Sequence, residues 1–248
     1  MQRNAVDDLR NDGGTDVERG MMGEGTMRAC TGNAAGSAAD RRVDLFLLRH
    51  GMTLWNVERR YLGHTDVPLD PAHAAGLDCA KRLLRRMEFD AVYCSDLQRC
   101  RQTLAFVRPD LAAQFDSRLR ELCFGDWEGG TYEQLAGNEA FRHWLDRWEE
   151  LAPPNGESGA DFRRRVWAFA ADMETAWSRE AEAPPRSVLV VAHGGSIRML
   201  VSRYVAGLSP WEPQINHGGI VRLRLRQMCG ESGAQRWASL SLDDMTAT

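Results

Sequence analysis

Lysine is almost missing from this chain: Lys81 is the only one among 31 Lys and Arg residues, set against 35 Asp and Glu for a formal net charge of −4. A dedicated nucleic-acid binder carries a strongly basic domain, and this balance argues against one. Long apolar runs are also absent. None approaches the roughly 18–20 residues that span a bilayer, so no membrane helix is expected. Paired cysteines are lacking too, because Cys30, Cys79, Cys94, Cys100, Cys123 and Cys229 form no CxxC spacing. Disulfide frameworks belong to small secreted chains, so free thiols in a reducing, cytoplasmic compartment are expected. Aromatic side chains are missing from residues 1–42, where Val6, Leu9 and Val17 are the larger branched apolar residues. Such a segment buries too little surface to offset its ordering entropy. It is expected to be a disordered tail ahead of a single folded domain over 43–248.

Within 43–248 the composition changes; the whole chain is 43% apolar and has eight Trp, enough for a substantial core. Val43 to Leu48 and Ser187 to Ala192 are short, nearly continuous apolar runs, the pattern of strands buried on both faces. Ala91 to Cys94 is a shorter third. Helical spacing lies between them. Pro71 to Arg86 places Ala75, Leu77, Ala80, Leu83 and Leu84 near one stripe, and Pro71 suits a first turn. Ser95 or Asp96 is placed to cap a helix from Leu97 to Phe106. Phe141, Trp144, Leu145, Trp148 and Leu151 follow helical spacing, as do Asp161 to Arg179 and Ile197 to Val205. Near the end Val221, Leu223 and Leu225 alternate with Arg222, Arg224 and Arg226, a strand with one wet face. Trp237 to Leu242 is expected to pair with it across the Gly230–Gly233 region. Strands alternating with helices predict an α/β fold, a three-layer sandwich with a mostly parallel central sheet.

Two of the buried-type strands end alike, in Arg49-His50-Gly51 and in Ala192-His193-Gly194-Gly195. The carboxyl ends of strands in open α/β sheets face the ligand crevice. Both histidines are therefore expected to project there, with glycines that let backbone N–H groups approach an anion closely. The turn Ser95-Asp96-Leu97-Gln98-Arg99 follows the third strand and brings Arg99 to the same edge. Arg49 and Arg99 could then grip a phosphate as fork-shaped donors. A metal centre is not expected, since His50, His64, His193 and His217 show no HxH or HxxxH pairing.

These residues carry a resemblance. Arg49-His50-Gly51-Met52-Thr53-Leu54-Trp55-Asn56 is similar to the RHGxTxxN motif of branch 1 of the histidine phosphatase (phosphoglycerate mutase-like) superfamily. The likeness continues through Arg60 to Leu69, Ser95 to Thr103, Leu119 to Gly129, Pro154-Asn155-Gly156-Glu157-Ser158 and His193-Gly194-Gly195. It implies the phosphoglycerate mutase-like fold, with a helical lid around 125–158. It implies His50 as the nucleophile that takes the phosphoryl group, with Arg49, Arg99 and His193 completing the phosphate pocket. Glu121 becomes the proton donor to the leaving alcohol, and Asn56, Gly63 and Gly194 make accessory phosphate or substrate contacts. His217 is a candidate at the substrate rim. No cofactor is implied, the partner is a small phosphomonoester, and a homodimer stays open.

The chemistry suits these types. Phosphoryl transfer is mostly positioning and charge stabilisation, which fixed arginines supply. The nucleophile must be a neutral imidazole, and nearby cations and burial both favour that form. Bisphosphoglycerate-dependent mutases of the superfamily carry a longer, basic segment after the acid. Here no Lys or Arg intervenes between Glu121 and Arg142, which favours water as the acceptor. Phe124-Gly125-Asp126-Trp127-Glu128, the Trp-rich 141–148 stretch and the Pro-Asn-Gly-Glu-Ser run resemble α-ribazole phosphatases of cobalamin biosynthesis. Broad-specificity phosphatases, a phosphoglycerate mutase and a non-catalytic phospho-ligand binder are the alternatives.

Overall fold

The two most apolar runs of the sequence become neighbouring parallel strands. The computed structural model describes residues 41–179, 185–209, 211–229 and 235–246. Its strands are β1 (Arg42–Arg49), β2 (Ala91–Cys94), β3 (Gln114–Phe115), β4 (Ser187–Ala192), β5 (Ile220–Cys229) and β6 (Gln235–Asp244). The helices are α1 (Leu54–Val57), α2 (Asp78–Leu84), α3 (Gln98–Val107), α4 (Tyr132–Leu135), α5 (Glu139–Asp146), α6 (Gly159–Arg179) and α7 (Gly194–Tyr204). One sheet runs β3-β2-β4-β1-β5-β6. Its pairings are parallel from β3 to β1 and antiparallel at β1–β5 and β5–β6. The expected mostly parallel α/β sheet is thus present. Of the segment 1–42 only Arg41 and Arg42 are described, and Arg42 already belongs to β1; the turn at 230–233 lies outside the described residues.

The period-two geometry of a strand sorts its side chains between two cores. Val43, Leu45 and Leu47 of β1 and Val188, Val190 and Ala192 of β4 pack with α6 and α7. Phe46, Leu48, Leu189 and Val191 face the opposite way, onto α2 and α3. Strand β5 behaves differently, because Leu223 and Leu225 are buried while Arg224 and Arg226 are exposed. Asp44 of the neighbouring strand pairs with Arg222 across this wet face.

Three helices depart from the sequence expectation for identifiable reasons. The 71–86 stretch starts as a 3-10 turn over Pro71–Leu77 and becomes α-helical only at Asp78. Gly76 weakens α-helix there, and the Asp70 carboxylate, accepting from the Ala72 N–H at 3.0 Å, starts the tighter turn. Neither Ser95 nor Asp96 caps α3, whose N-cap is Leu97 with no side-chain bond. Both side chains are engaged elsewhere, Asp96 by Arg120 and Ser95 by His193. The helix expected over 141–151 stops at Asp146. The chain turns so that the carbonyls of Trp148 and Glu149 accept from the Gly159 and Ala160 N–H groups at 2.8 and 2.9 Å, which satisfies the first donors of α6.

Residues 125–158 pack by aromatic contact. Phe141 lies edge-on to Tyr61 and Trp127 at ring separations of 5.6 and 5.2 Å, and Trp144 meets Phe124 and Trp127. Phe141 and Trp144 belong to the same core as β1 and β4. Gly125 is required where this segment begins: its φ is +54°, and a Cβ would overlap the Pro154 carbonyl. Truncating the fully buried Phe141 to alanine is expected to cost about 3–5 kcal/mol of stability. Urea unfolding measures it, as a lower midpoint at unchanged denaturant slope.

Candidate active site

Register brings the two histidines together. Arg49 of β1 lies opposite Ala192 of β4, and the next residue along, His50, donates its backbone N–H to the Ala192 carbonyl at 3.0 Å. The His50 and His193 rings are 5.1 Å apart, edge to face. The loop before β5 closes the other side, where the Gly218 N–H lies within 3.1–3.2 Å of the Arg49 and His50 carbonyls. This places His217 with its ring 5.3 Å from His50 and with its Nε2 buried and without a hydrogen-bond partner among the described residues. Arg49, His50, Arg99 and His193 are all buried, Arg99 and His193 completely.

Each ring is oriented by its neighbours. His50 Nδ1 sits 2.6 Å from the Gly51 carbonyl oxygen. A carbonyl can only accept, so Nδ1 carries the proton and Nε2 keeps its lone pair. His193 takes the opposite tautomer. Its Nδ1 accepts from Arg99 Nε at 3.2 Å, which leaves Nε2 to donate to the Ser95 hydroxyl at 2.9 Å. Both His193 nitrogens therefore act within the protein here, and the ring holds Arg99. The Arg99 fork reaches further, to the carbonyls of Gly63 at 2.6 Å and Thr65 at 3.0 Å. Arg49 donates to the Ile215 carbonyl at 2.5 Å, and its guanidinium lies over Gly194, where a Cβ would come within 3.2 Å.

Burial and charge act in the same direction on these imidazoles. Burial first, then the Arg99 and Arg49 charges, push His50 well below the usual histidine range. Burial, Arg99 and His50 do the same to His193, and burial, Arg49 and His50 to His217. All three rings are neutral near pH 7.

Glu121 approaches from the far side. One carboxylate oxygen accepts from the Gly195 N–H in the first turn of α7 at 2.9 Å, and the other from Leu122 N–H at 2.9 Å. A Cβ at Gly195 would overlap that carboxylate, so the second glycine of the pair is a seat for it. Beside Glu121 opens an apolar cavity walled by Tyr61, Phe124, Trp144, Trp148, Phe162 and Trp211. Trp148 and Trp211 meet at its edge, 5.4 Å apart.

The remaining expected residues are placed less directly. Gly63 is at the site as a backbone: its carbonyl holds Arg99, and a Cβ would strike the Leu122 carbonyl and the Glu128 carboxylate. Asn56 serves α1, where its side-chain oxygen accepts from the Thr53 N–H at 3.1 Å and completes a capping box. Three contributors escaped sequence reasoning. Ser95 orients His193, and Thr103 accepts from the Gly51 N–H at 3.0 Å. Glu128 accepts from the His64 and Thr65 N–H groups at 2.8 and 2.6 Å, and so anchors the Gly63 loop. Each lies within a quoted motif, which was the available signal.

A family model described as histidine phosphatase superfamily (branch 1) matches residues 45–239. The chain belongs to that family. This histidine phosphatase is accordingly a phosphoric monoester hydrolase by family. It is 32% identical over 180 residues to an adenosylcobalamin/α-ribazole phosphatase of Salmonella typhimurium, covering 70% of this chain and 86% of that protein. It is 33% identical over 181 residues to a 2,3-bisphosphoglycerate-dependent phosphoglycerate mutase of Bartonella bacilliformis, covering 69% and 85%. The solved α-ribazole phosphatase from Shigella flexneri superposes with a TM-score of 0.66 at 27% identity, over 80% of this chain and 96% of that one. Among the described residues no helix is long and apolar enough to cross a membrane.

Neutral burial of His50 and His193 ties stability to pH. In the unfolded chain each titrates near ~6.5, whereas in the folded chain both are held lower. Below about pH 6.5 the unfolded state binds more protons, so stability is complete above that pH and is lost as pH falls. The loss approaches about 1.4 kcal/mol per pH unit for each histidine. Urea midpoints are expected to hold between pH 7.5 and about 6.5 and to fall from there to pH 5, and a flat series over the lower range would contradict neutral burial.

Proposed function

We propose that this histidine phosphatase hydrolyses a phosphomonoester through a phosphohistidine on His50, and that its substrate is α-ribazole 5′-phosphate or the adenosylcobalamin precursor carrying it. The observation that carries the chemistry is a neutral imidazole, with its Nε2 lone pair fixed by the Gly51 carbonyl, buried beside two guanidinium groups. His50 Nε2 attacks phosphorus as the bond to the leaving oxygen breaks, and Glu121 gives that oxygen its proton. Water then attacks the phosphohistidine, Glu121 takes the water's proton, and Nε2 is released as a lone pair with inorganic phosphate. Arg49 and Arg99 offset the charge on the transferring group. His193 acts by orienting Arg99, and His217, whose buried Nε2 has no partner among the described residues, is a further donor toward a phosphate oxygen.

Two observations favour water over a second phosphoglycerate as the acceptor, and an aromatic leaving group over a sugar acid. The cavity beside Glu121 is walled mainly by the aromatic rings of Tyr61, Phe124, Trp144, Trp148 and Phe162, with Arg198 as a basic member of the lining. A flat benzimidazole nucleoside gains from such surfaces, whereas a second carboxylate or phosphate does not. The α-ribazole phosphatase relatives support the same reading.

A phosphate-release panel tests the substrate. α-Ribazole 5′-phosphate is expected to exceed 3-phosphoglycerate, fructose bisphosphates, nucleotides and p-nitrophenyl phosphate in kcat/KM. Mutase activity with 2,3-bisphosphoglycerate in place of phosphate release would decide for the other branch. An acid-labile, alkali-stable phosphoenzyme is expected to form and to vanish in His50→Ala. Glu121→Gln is expected to lower kcat on alkyl phosphates by about 10²–10⁴-fold, and much less on p-nitrophenyl phosphate, whose leaving group needs no proton.

A further inference from the structure

We infer that Arg165, locked by Glu157, is a positioning residue for the Glu121 carboxylate; this rests on the proton-donor reading of Glu121. Arg165 lies on α6, outside the histidine cluster. Its Nη1 donates to the carbonyls of Arg118 and Arg120, each at 2.8 Å, and its Nη2 to the carbonyl of Glu121 itself at 2.6 Å. Two shorter bonds go to one carboxylate, Nε to Glu157 Oε2 at 2.9 Å and Nη2 to Glu157 Oε1 at 2.5 Å, while His64 Nε2 lies 3.5 Å from Nη2. A guanidinium has five N–H donors in a fixed fork, and the five oxygen acceptors use all of them.

The acceptors enclose one short piece of chain. Three are backbone carbonyls of the turn that carries Glu121, folded so that they converge on a single cation. The fourth partner, Glu157, also accepts from the Cys123 N–H at 2.9 Å, while its own N–H donates to the Cys123 carbonyl at 3.1 Å. Residues 118–123 are thereby held from both ends by one ion pair, both of whose side chains are less than one-fifth exposed. The Phe162 ring centroid lies 4.7 Å from the Arg165 guanidinium carbon, and Phe162 also walls the cavity beside Glu121.

The consequence concerns distance at the reacting oxygen. Glu121 rests on Gly195 N–H through its carboxylate and on Arg165 through its backbone, so its position is set at both ends. A misplacement of about 1 Å in a reacting group can cost roughly 10²-fold in rate. Lysine at 165 keeps the charge and most of the packing, but it offers three donors from one point and cannot span three carbonyls and a carboxylate.

The test compares Arg165→Lys, Glu157→Gln, Glu121→Gln and the double variant Glu121→Gln/Arg165→Lys, on an alkyl phosphate and on p-nitrophenyl phosphate, with thermal midpoints recorded alongside. Arg165→Lys is expected to lower kcat on the alkyl ester by about 10–100-fold and on p-nitrophenyl phosphate by less than about threefold. Glu157→Gln, which keeps the Cys123 contact but not the charge, follows in the same direction more weakly. In the double variant the alkyl-ester rate is expected to be no lower than in Glu121→Gln alone, since Arg165 acts through that carboxylate. Equal losses on both esters, or losses that multiply in the double variant, would overturn the positioning role while leaving Glu121 as donor. If Glu121→Gln shows no dependence on leaving group, the donor reading fails, and the inference falls with it. Should Arg165→Lys prove unfolded, the same comparison with Glu157→Gln decides.

Discussion

The parallel pairing of β1 with β4 is the interaction on which the remaining arrangement depends. Each strand is buried on both faces, so its register is fixed by two cores at once; a slip of one residue would exchange the side chains facing α6 and α7 with those facing α2 and α3. That register sets Arg49 opposite Ala192, and so brings His50 and His193 to one level at the sheet's edge. Neither histidine needs any local device to find the other. Their meeting follows from apolar residues several positions earlier in each strand.

Burying two guanidinium groups is costly unless every donor has a partner. For Arg99 the structure offsets that cost with two carbonyls and a neutral imidazole. Arg99 bonds to Gly63, Thr65 and the lone pair of His193, and Arg49 to Ile215. A carboxylate against either arginine would have cancelled the positive field and favoured protonated His50. Carbonyls and a neutral ring engage the Arg99 fork and leave its charge in place. The same field that keeps His50 unprotonated is therefore available to an incoming anion. Carboxylates are used instead one layer out, as Glu128 beneath the Gly63 loop and as Glu157 beneath Arg165.

Much of this was legible in the amino-acid sequence, and the reasons are physical. A strand buried on two faces has to be apolar throughout, so β1 and β4 stand out as runs, and β5 stands out by its alternation with arginine. The histidines and glycines at the strand ends could be read because a βα turn leaves little room for other chemistry. Side-chain competition was not legible. Ser95 and Asp96 have the chemistry of helix caps, yet His193 and Arg120 claim them, and only the fold brings those partners near. Asn56 carries the opposite lesson: a residue matching a motif for substrate contact is employed in capping α1. The stretch after Trp144 keeps helical spacing, but the carbonyls of Trp148 and Glu149 are drawn off to the start of α6. The fork of Arg165 gathers carbonyls from residues of no particular type, which leaves no trace in composition or periodicity.

Gly194 lies under the Arg49 guanidinium and Gly195 under the Glu121 carboxylate. Since they are adjacent, their Cα atoms are separated by the fixed ~3.8 Å of a trans peptide. The first turn of α7 thus works as a gauge block between a cation delivered by β1 and an anion delivered from the 118–123 turn. Two groups that come from separate elements are thereby referred to one fixed Cα–Cα separation within a single helical turn.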